Sequence, residues 1–153
     1  DNMNPLQVSE KYCLMDNGSL FEREKHEYSK KVILPDNEFV KKIAWDATHY
    51  LCVTDKGNVY SWGHNICGEL GTGDKVKRMS PTQVILPNGI KAVDVIVGQN
   101  CSFCLTQNGR VYAWGYNTSR QLGVGDTRER LLPTEVILPA DLNITQLFSG
   151  AAH

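Results

Sequence analysis

The sequence predicts an all-β fold, made of repeated units of four short antiparallel strands with no helix between them. Three observations predict it: a period of 52 residues, glycine-bearing hairpin turns, and short strands with alternating side-chain character. VYSWGHNICGELGTGD at 59–74 returns as VYAWGYNTSRQLGVGD at 111–126. Trp62 to Trp114, Gly57 to Gly109, Gly71 to Gly123, Asp74 to Asp126 and Pro81 to Pro133 are each 52 residues apart, and VILP recurs at 32–35, 84–87 and 136–139. A period of this size lies close to the roughly 40–50 residues of one propeller blade. The chain therefore reads as a partial β-propeller of about three blades.

Each full unit resolves into four strands. The first is expected at 93–97, matched by 145–149 and more loosely by 41–45. The second is YLCVT at 50–54 or SFCLT at 102–106. A turn follows, DKGN or QNGR, whose glycine supplies the positive φ of a hairpin. VYSW and VYAW form the third strand, with period-two alternation. The fourth is expected around PTQVIL at 81–86 and PTEVIL at 133–138, where the leading proline suits an edge strand.

The glycine-rich loop between the third and fourth strands is a folding element. A phosphate-cradling loop needs a Lys-Ser/Thr pair at a helix start, and none follows Gly73. A dedicated site would also occur once, whereas this loop recurs. In it Leu70 and Leu122 are expected to plug the blade edge, and Asp74 and Asp126 to cap turn amides.

The N-terminal unit is shorter. Gly18 to Val32 spans 14 residues where Gly57 to Val84 spans 27, so 13 residues are missing. They are the Trp-Gly-to-Asp loop, replaced by EREKHEYSKK at 22–31. The organisation expected is a degenerate blade with a shortened loop over 1–48, then full repeats at 49–100 and 101–153. The second repeat ends at the start of a next blade. A helical stub at 22–31 is the alternative for the charged segment.

Net charge is −1, which gives no electrostatic footprint for nucleic acid. No run approaches the roughly 18 apolar residues of a membrane span, and no basic-then-apolar leader opens the chain. Cysteines 13, 52, 67, 101 and 104 are odd in number and form no disulfide framework, so a reducing intracellular setting, cytoplasmic or nuclear, is expected. Cys101 and Cys104 form a CxxC. In a strand, side chains three apart point to opposite faces, so they read as small buried hydrophobes. Asn-x-Ser/Thr triplets at Asn17, Asn117 and Asn143 are of the kind that chance supplies.

HYLCVTDKGNVYSWGHNICGELGTGD and CSFCLTQNGRVYAWGYNTSRQLGVGD resemble the regulator of chromosome condensation repeat, over roughly residues 40–153. That repeat reads V-Y-x-W-G-x-N-x-x-G-Q-L-G-x-G-D with a later proline. Departures are Glu69 for Gln, Arg120 for Gly, Asp46 where Gly98 and Gly150 stand, and Cys101 for the His kept at His49 and His153. The resemblance implies a seven-bladed parent ring. About three blades cannot close one, since closed propellers have roughly four to eight. Remaining blades or another chain are therefore expected to cover residues 144–153.

The function implied is a non-enzymatic scaffold for a protein partner. The alternative is part of a guanine-nucleotide exchange factor for a Ran-like small GTPase. Exchange in this family depends on an inserted β-wedge, and the two full units carry no insertion. Light sensing, also found on this fold, works through a Trp-Arg-His-Thr motif absent here. No cofactor, metal or catalytic residue is expected: His26, His49, His64 and His153 show no spacing that pairs a nucleophile with a base. Candidate contact residues are those that differ between matched units. His64, Ile66, Cys67 and Glu69 stand against Tyr116, Thr118, Ser119 and Gln121. Lys75, Lys77 and Arg78 stand against Thr127, Glu129 and Arg130, and Arg120 and Arg128 complete the set.

Overall fold

The computed structural model describes residues 2–149. It contains three four-stranded antiparallel sheets, each with its strands in sequence order. The first sheet holds β1 (Pro5–Val8), β2 (Tyr12–Met15), β3 (Leu20–Glu24) and β4 (Glu27–Val32). The second holds β5 (Val40–Trp45), β6 (His49–Thr54), β7 (Val59–Gly63) and β8 (Arg78–Val84). The third holds β9 (Ala92–Gly98), β10 (Cys101–Thr106), β11 (Val111–Gly115) and β12 (Arg130–Glu135). The sequence repeat and the sheet are offset by one strand, because β5 at 40–45 pairs with β6.

The charged segment 22–31 is no helix: β3 and β4 form a hairpin that turns at Lys25–His26. Its alternation of Glu22 against Lys30 and Phe21 against Lys31 is cross-strand pairing, which the helix-favouring composition obscured. The fourth strands start earlier than expected, at Arg78 and Arg130, so Pro81 and Pro133 sit inside them. Both strands are sheet edges, where a missing N–H is tolerated. The expected strand at 145–149 is absent. Ile144 donates its N–H to the Gly109 carbonyl at 3.2 Å, as Val40 does to Gly18 and Ala92 to Gly57 at 2.9 Å. Those two residues go on to pair with the strand that follows them, whereas the chain beyond Ile144 has no such strand among the described residues. Gly150 and His153 lie outside the described residues.

Each inner sheet face is buried against a neighbour. In β6, Leu51 and Val53 join the apolar cluster shared with the third sheet, while Cys52 joins the cluster shared with the first. In β7, Val59 faces the third sheet, and Tyr60 and Trp62 face the first. This two-sided burial is why the VYSW and VYAW strands carry no charge. Trp62 and Trp114 occupy matched places, opposite Tyr50 and Ser102, and are 2% and 0% exposed. The CxxC cysteines point to opposite faces as expected: Cys101 joins an outer cluster with Leu122, and Cys104 the cluster around Trp114. Burial pushes Cys104 and Cys52 up to about 12 and Cys101 up to about 11.

The joint between the second and third sheets is tied by one backbone carbonyl. Glu69 C=O accepts the Trp114 indole N–H at 2.9 Å and the Ser102 hydroxyl at 2.8 Å. His49 Nε2 meets the same Ser102 Oγ at 2.8 Å, and His49 Nδ1 meets Asp46 Oδ1 at 3.0 Å. That carboxylate oxygen also accepts the Thr48 hydroxyl and the backbone N–H groups of Thr48 and His49. Burial alone would raise the Asp46 carboxyl, but the His49 ring and these N–H donors outweigh it and hold Asp46 well below its ordinary range. Two residues on, Gly71 lies flat on the indole at φ +69, where a Cβ would come 2.7 Å from Trp114 Nε1.

Two expectations follow. Gly71→Ala should lower unfolding free energy by roughly 2–5 kcal/mol, combining left-handed strain of about 1–2 kcal/mol with about 1–3 kcal/mol of overpacking. Gly89→Ala should cost only the strain, since its added Cβ meets nothing within 4 Å; urea denaturation of both separates the terms. Asp46→Ala should cost about 1.5–3 kcal/mol near neutral pH, the range for charge-assisted hydrogen bonds. Because the folded carboxyl is depressed, its contribution is present above the unfolded value of 3.8 and is lost as pH falls below it. Wild type and variant should therefore converge in acid; a constant gap down to low pH would refute the assignment.

Candidate functional site

The two glycine-rich loops, 64–77 and 116–129, share one internal frame. Asn65 Nδ2 donates to Asp74 C=O at 2.9 Å and Val76 C=O at 3.1 Å, while its Oδ1 accepts Leu70 N–H at 3.0 Å. Asn117 does the same to Asp126, Arg128 and Leu122 at 3.0, 2.8 and 3.1 Å. Asn117 is fully buried, so its Asn-x-Ser triplet is structural. Asp74 Oδ1 accepts Val76 N–H and Asp126 Oδ1 accepts Arg128 N–H, each at 2.9 Å, the turn capping read from the sequence. Leu70 and Leu122 are fully buried plugs.

This frame takes three residues out of the candidate contact set. Glu69 is fully buried, its carboxylate accepting Cys67 N–H at 2.7 Å and its carbonyl tying the sheet joint. It is a joint residue, and its difference from Gln121 marks no outer contact. Arg78 binds Asp74 at 2.7 Å, and Arg130 binds Asp126 through both terminal nitrogens at 3.0 and 2.8 Å. The guanidinium beside each carboxylate holds Asp74 and Asp126 below the usual range. Both arginines are half-buried clasps that close the loop, a role their shared 52-residue phase could have indicated.

The other nine reach the surface. His64, Ile66, Lys75, Lys77, Thr118, Arg120 and Arg128 are exposed, and Cys67 and Tyr116 are half-buried. The loops meet side by side: Lys75 pairs with Glu129, and Gly68 abuts Leu131. Lys77 and Arg120 have no acidic partner among the described residues, and Arg128, 83% exposed in its side chain, holds Asp126 at 3.3 Å. The outcome is a surplus of positive charge interleaved with exposed Ile66 and Val76. Burial, followed by the Glu69 and Glu129 carboxylates, raises Cys67, so it offers no reactive thiolate.

Sequence spacing missed one grouping: Asp46, His49 and Ser102 stand in the order of a hydrolytic acid, base and nucleophile. His49 and Ser102 are fully buried, and the serine hydroxyl is held between the ring and the Glu69 carbonyl. No substrate can approach them, so the set is a joint. Among the described residues no group of three or more His, Cys, Asp or Glu could hold a metal ion. None of their helices is long and apolar enough to cross a membrane. Trp62 and Trp114 lie in separate clusters and Trp45 stands apart, so no tryptophan cluster forms.

Comparison with known proteins follows the same lines. The chain is 33% identical over 123 residues to the ultraviolet-B receptor UVR8 of Arabidopsis thaliana, covering 80% of this chain and 27% of that protein. It is 40% identical over 85 residues to the X-linked retinitis pigmentosa GTPase regulator homolog of Caenorhabditis elegans, 56% of this chain and 6% of that one. The chain thus spans about a quarter or less of these relatives. Among solved structures, human WBSCR16 superposes with a TM-score of 0.70 at 23% identity, over 88% of this chain and 39% of that one. Prp20p of Saccharomyces cerevisiae does so with a TM-score of 0.66 at 23% identity, over 88% and 38%. Residues 56–105 and 108–153 each match the regulator of chromosome condensation (RCC1) repeat, and the chain belongs to that family of β-propellers.

Proposed function

We propose that this chain is a non-enzymatic protein-interaction scaffold, and that the paired loops 64–77 and 116–129 form its contact rim. One observation carries the reading. The residues that build the loops are the same in both sheets, Asn65 and Asn117, Asp74 and Asp126, Arg78 and Arg130, whereas the residues left outside differ. A rigid frame presenting different side chains from each blade is suited to recognition, because little ordering entropy is lost on contact. The partner is a protein with an acidic surface, since on the rim Lys75 is paired with Glu129 while Lys77 and Arg120 are exposed with no acidic partner among the described residues, and the Arg128 side chain is 83% exposed. Five free cysteines support a reducing, intracellular setting.

Exchange on a small GTPase is the second reading. The relative named as a GTPase regulator homolog, 40% identical over 85 residues, makes a Ran-like GTPase the first partner to assay. Both described loops have the same length and carry no wedge. The chain is therefore expected to leave the release of a fluorescent guanine nucleotide unaccelerated; acceleration by these 153 residues would replace the scaffold reading. Lys77→Glu, Arg120→Glu and Arg128→Glu together should weaken an acidic partner at least about tenfold, with the loss concentrated at low salt. Thermal stability should move by no more than about 0.5 kcal/mol per surface site. Unchanged binding by the triple variant would move the contact off this rim.

A further inference from the structure

The outer strands β8 and β12 carry the same irregularity. Ser61 pairs with Thr82 and Gly63 with Arg78, so Trp62 faces a bulge of residues 79–81. Ala113 pairs with Thr134 and Gly115 with Arg130, which leaves 131–133 in a matching bulge. In the third sheet loop 64–77 lies on this bulge. Gly73 N–H donates to Leu131 C=O at 2.9 Å, Gly68 abuts Leu131, and a Cβ on Gly73 would stand 3.4 Å from Leu132. Pro133 is buried. The first sheet gives the second no such cover, because its connection in that place is only the turn at Lys25 and His26. Met79 is accordingly 76% exposed, and Ser80 beside it is exposed.

We propose that Ser80 is a phosphorylation site, modified in the folded chain by a proline-directed protein kinase. Ser80-Pro81 is the only Ser/Thr-Pro pair in the 153 residues. Proline holds the residue before it in extended backbone and donates no N–H of its own. The bulge can therefore enter a kinase cleft without breaking a pair between β7 and β8. The Ser80 hydroxyl has no hydrogen bond among the described residues; only its carbonyl is used, accepting the Thr82 hydroxyl at 3.2 Å. Leu132 stands in the matched place, so the fold calls for no hydroxyl there. In the transfer Ser80 Oγ attacks the γ-phosphorus of ATP, its proton passes to the kinase's base, and the bond to ADP breaks. The product carries a charge of about −1.5 to −2. Lys77, three residues away, is exposed and has no acidic partner among the described residues, so the phosphate lowers the positive surplus of loop 64–77. The site itself does not depend on the rim reading above.

The test incubates the folded 153-residue chain with ATP and a purified proline-directed kinase, and maps the product by mass spectrometry. One phosphoryl group should appear at Ser80, and Ser80→Ala should take none. Leu132→Ser supplies the control for cover, since it gives the third sheet the same Arg-x-Ser-Pro-Thr run beneath loop 64–77. Each rate is divided by that of the corresponding free peptide, 74–86 or 126–138 with the same substitution. The covered bulge must open locally first, so its normalised rate should fall at least about tenfold below that of Ser80. The proposal fails if the kinase modifies peptide 74–86 but not the native chain. It also fails if Asp46→Ala, which destabilises the fold, speeds the reaction in proportion to the unfolded fraction. Equal normalised rates at the two bulges would overturn it as well, because cover would then decide nothing.

Discussion

One carbonyl oxygen ties the second and third sheets of this molecule together. Glu69 C=O stands within a loop from the second sheet and accepts from two side chains of the third, Trp114 and Ser102. Sheets that only stacked their apolar faces could slide, because hydrophobic burial has no direction. Hydrogen bonds do have direction, and in a buried joint their loss costs more than their presence adds. The loop exists to bring that carbonyl to the indole: Asn65 folds it, Arg78 and Asp74 close it, and Gly71 lets it lie against the ring. On the far side His49 and Asp46 hold Ser102 in register.

Where the loop is missing, other groups hold the sheets. Gln7 pairs with the Ile43 backbone, its Nε2 donating to Ile43 C=O at 3.1 Å and its Oε1 accepting Ile43 N–H at 2.9 Å. Tyr12 and Tyr50 take up the apolar space beside Trp62. Glu22 gathers Lys11 and Lys30 at 3.3 and 3.1 Å around the outer end of Tyr12. These contacts fill volume and set register beside the indole. The first joint is thus held mainly by aromatic packing, and the second by packing together with the directed hydrogen bonds of one loop.

Much of this was legible in the chain itself. A 52-residue repeat with hairpin glycines located the strands of the second and third sheets, the buried tryptophans, the leucine plugs and the capping aspartates. Each of these follows from local chemistry that recurs in phase. What escaped depends on long-range contact. Asp46 looked like a lost glycine, yet it binds a ring three residues away. Glu69 looked like free variation, because a backbone carbonyl is the same whatever side chain sits on it. The segment 22–31 read as the shortened connection of a degenerate blade, with a helical stub as the alternative its composition allowed, and its cross-strand pairing is what makes it a hairpin.

Glu69 also shows how variation between repeats has to be read. A position that differs between units is a recognition candidate only if the frame leaves it outside. Applied to the loops, that condition removes Glu69 by burial, and removes Arg78 and Arg130 by their bonds to Asp74 and Asp126. It keeps His64, Ile66, Cys67, Lys75, Lys77, Tyr116, Thr118, Arg120 and Arg128. Arg120 is the most informative of these. It stands at φ +59 in the place of Gly68, a conformation that costs a non-glycine residue about 1–2 kcal/mol. At Gly68 the next sheet's Leu131 comes too close for any Cβ. An arginine there is therefore incompatible with that same close approach. Whatever packs against the third sheet's loop must stand farther off, and it meets a charge where the second loop offers bare backbone.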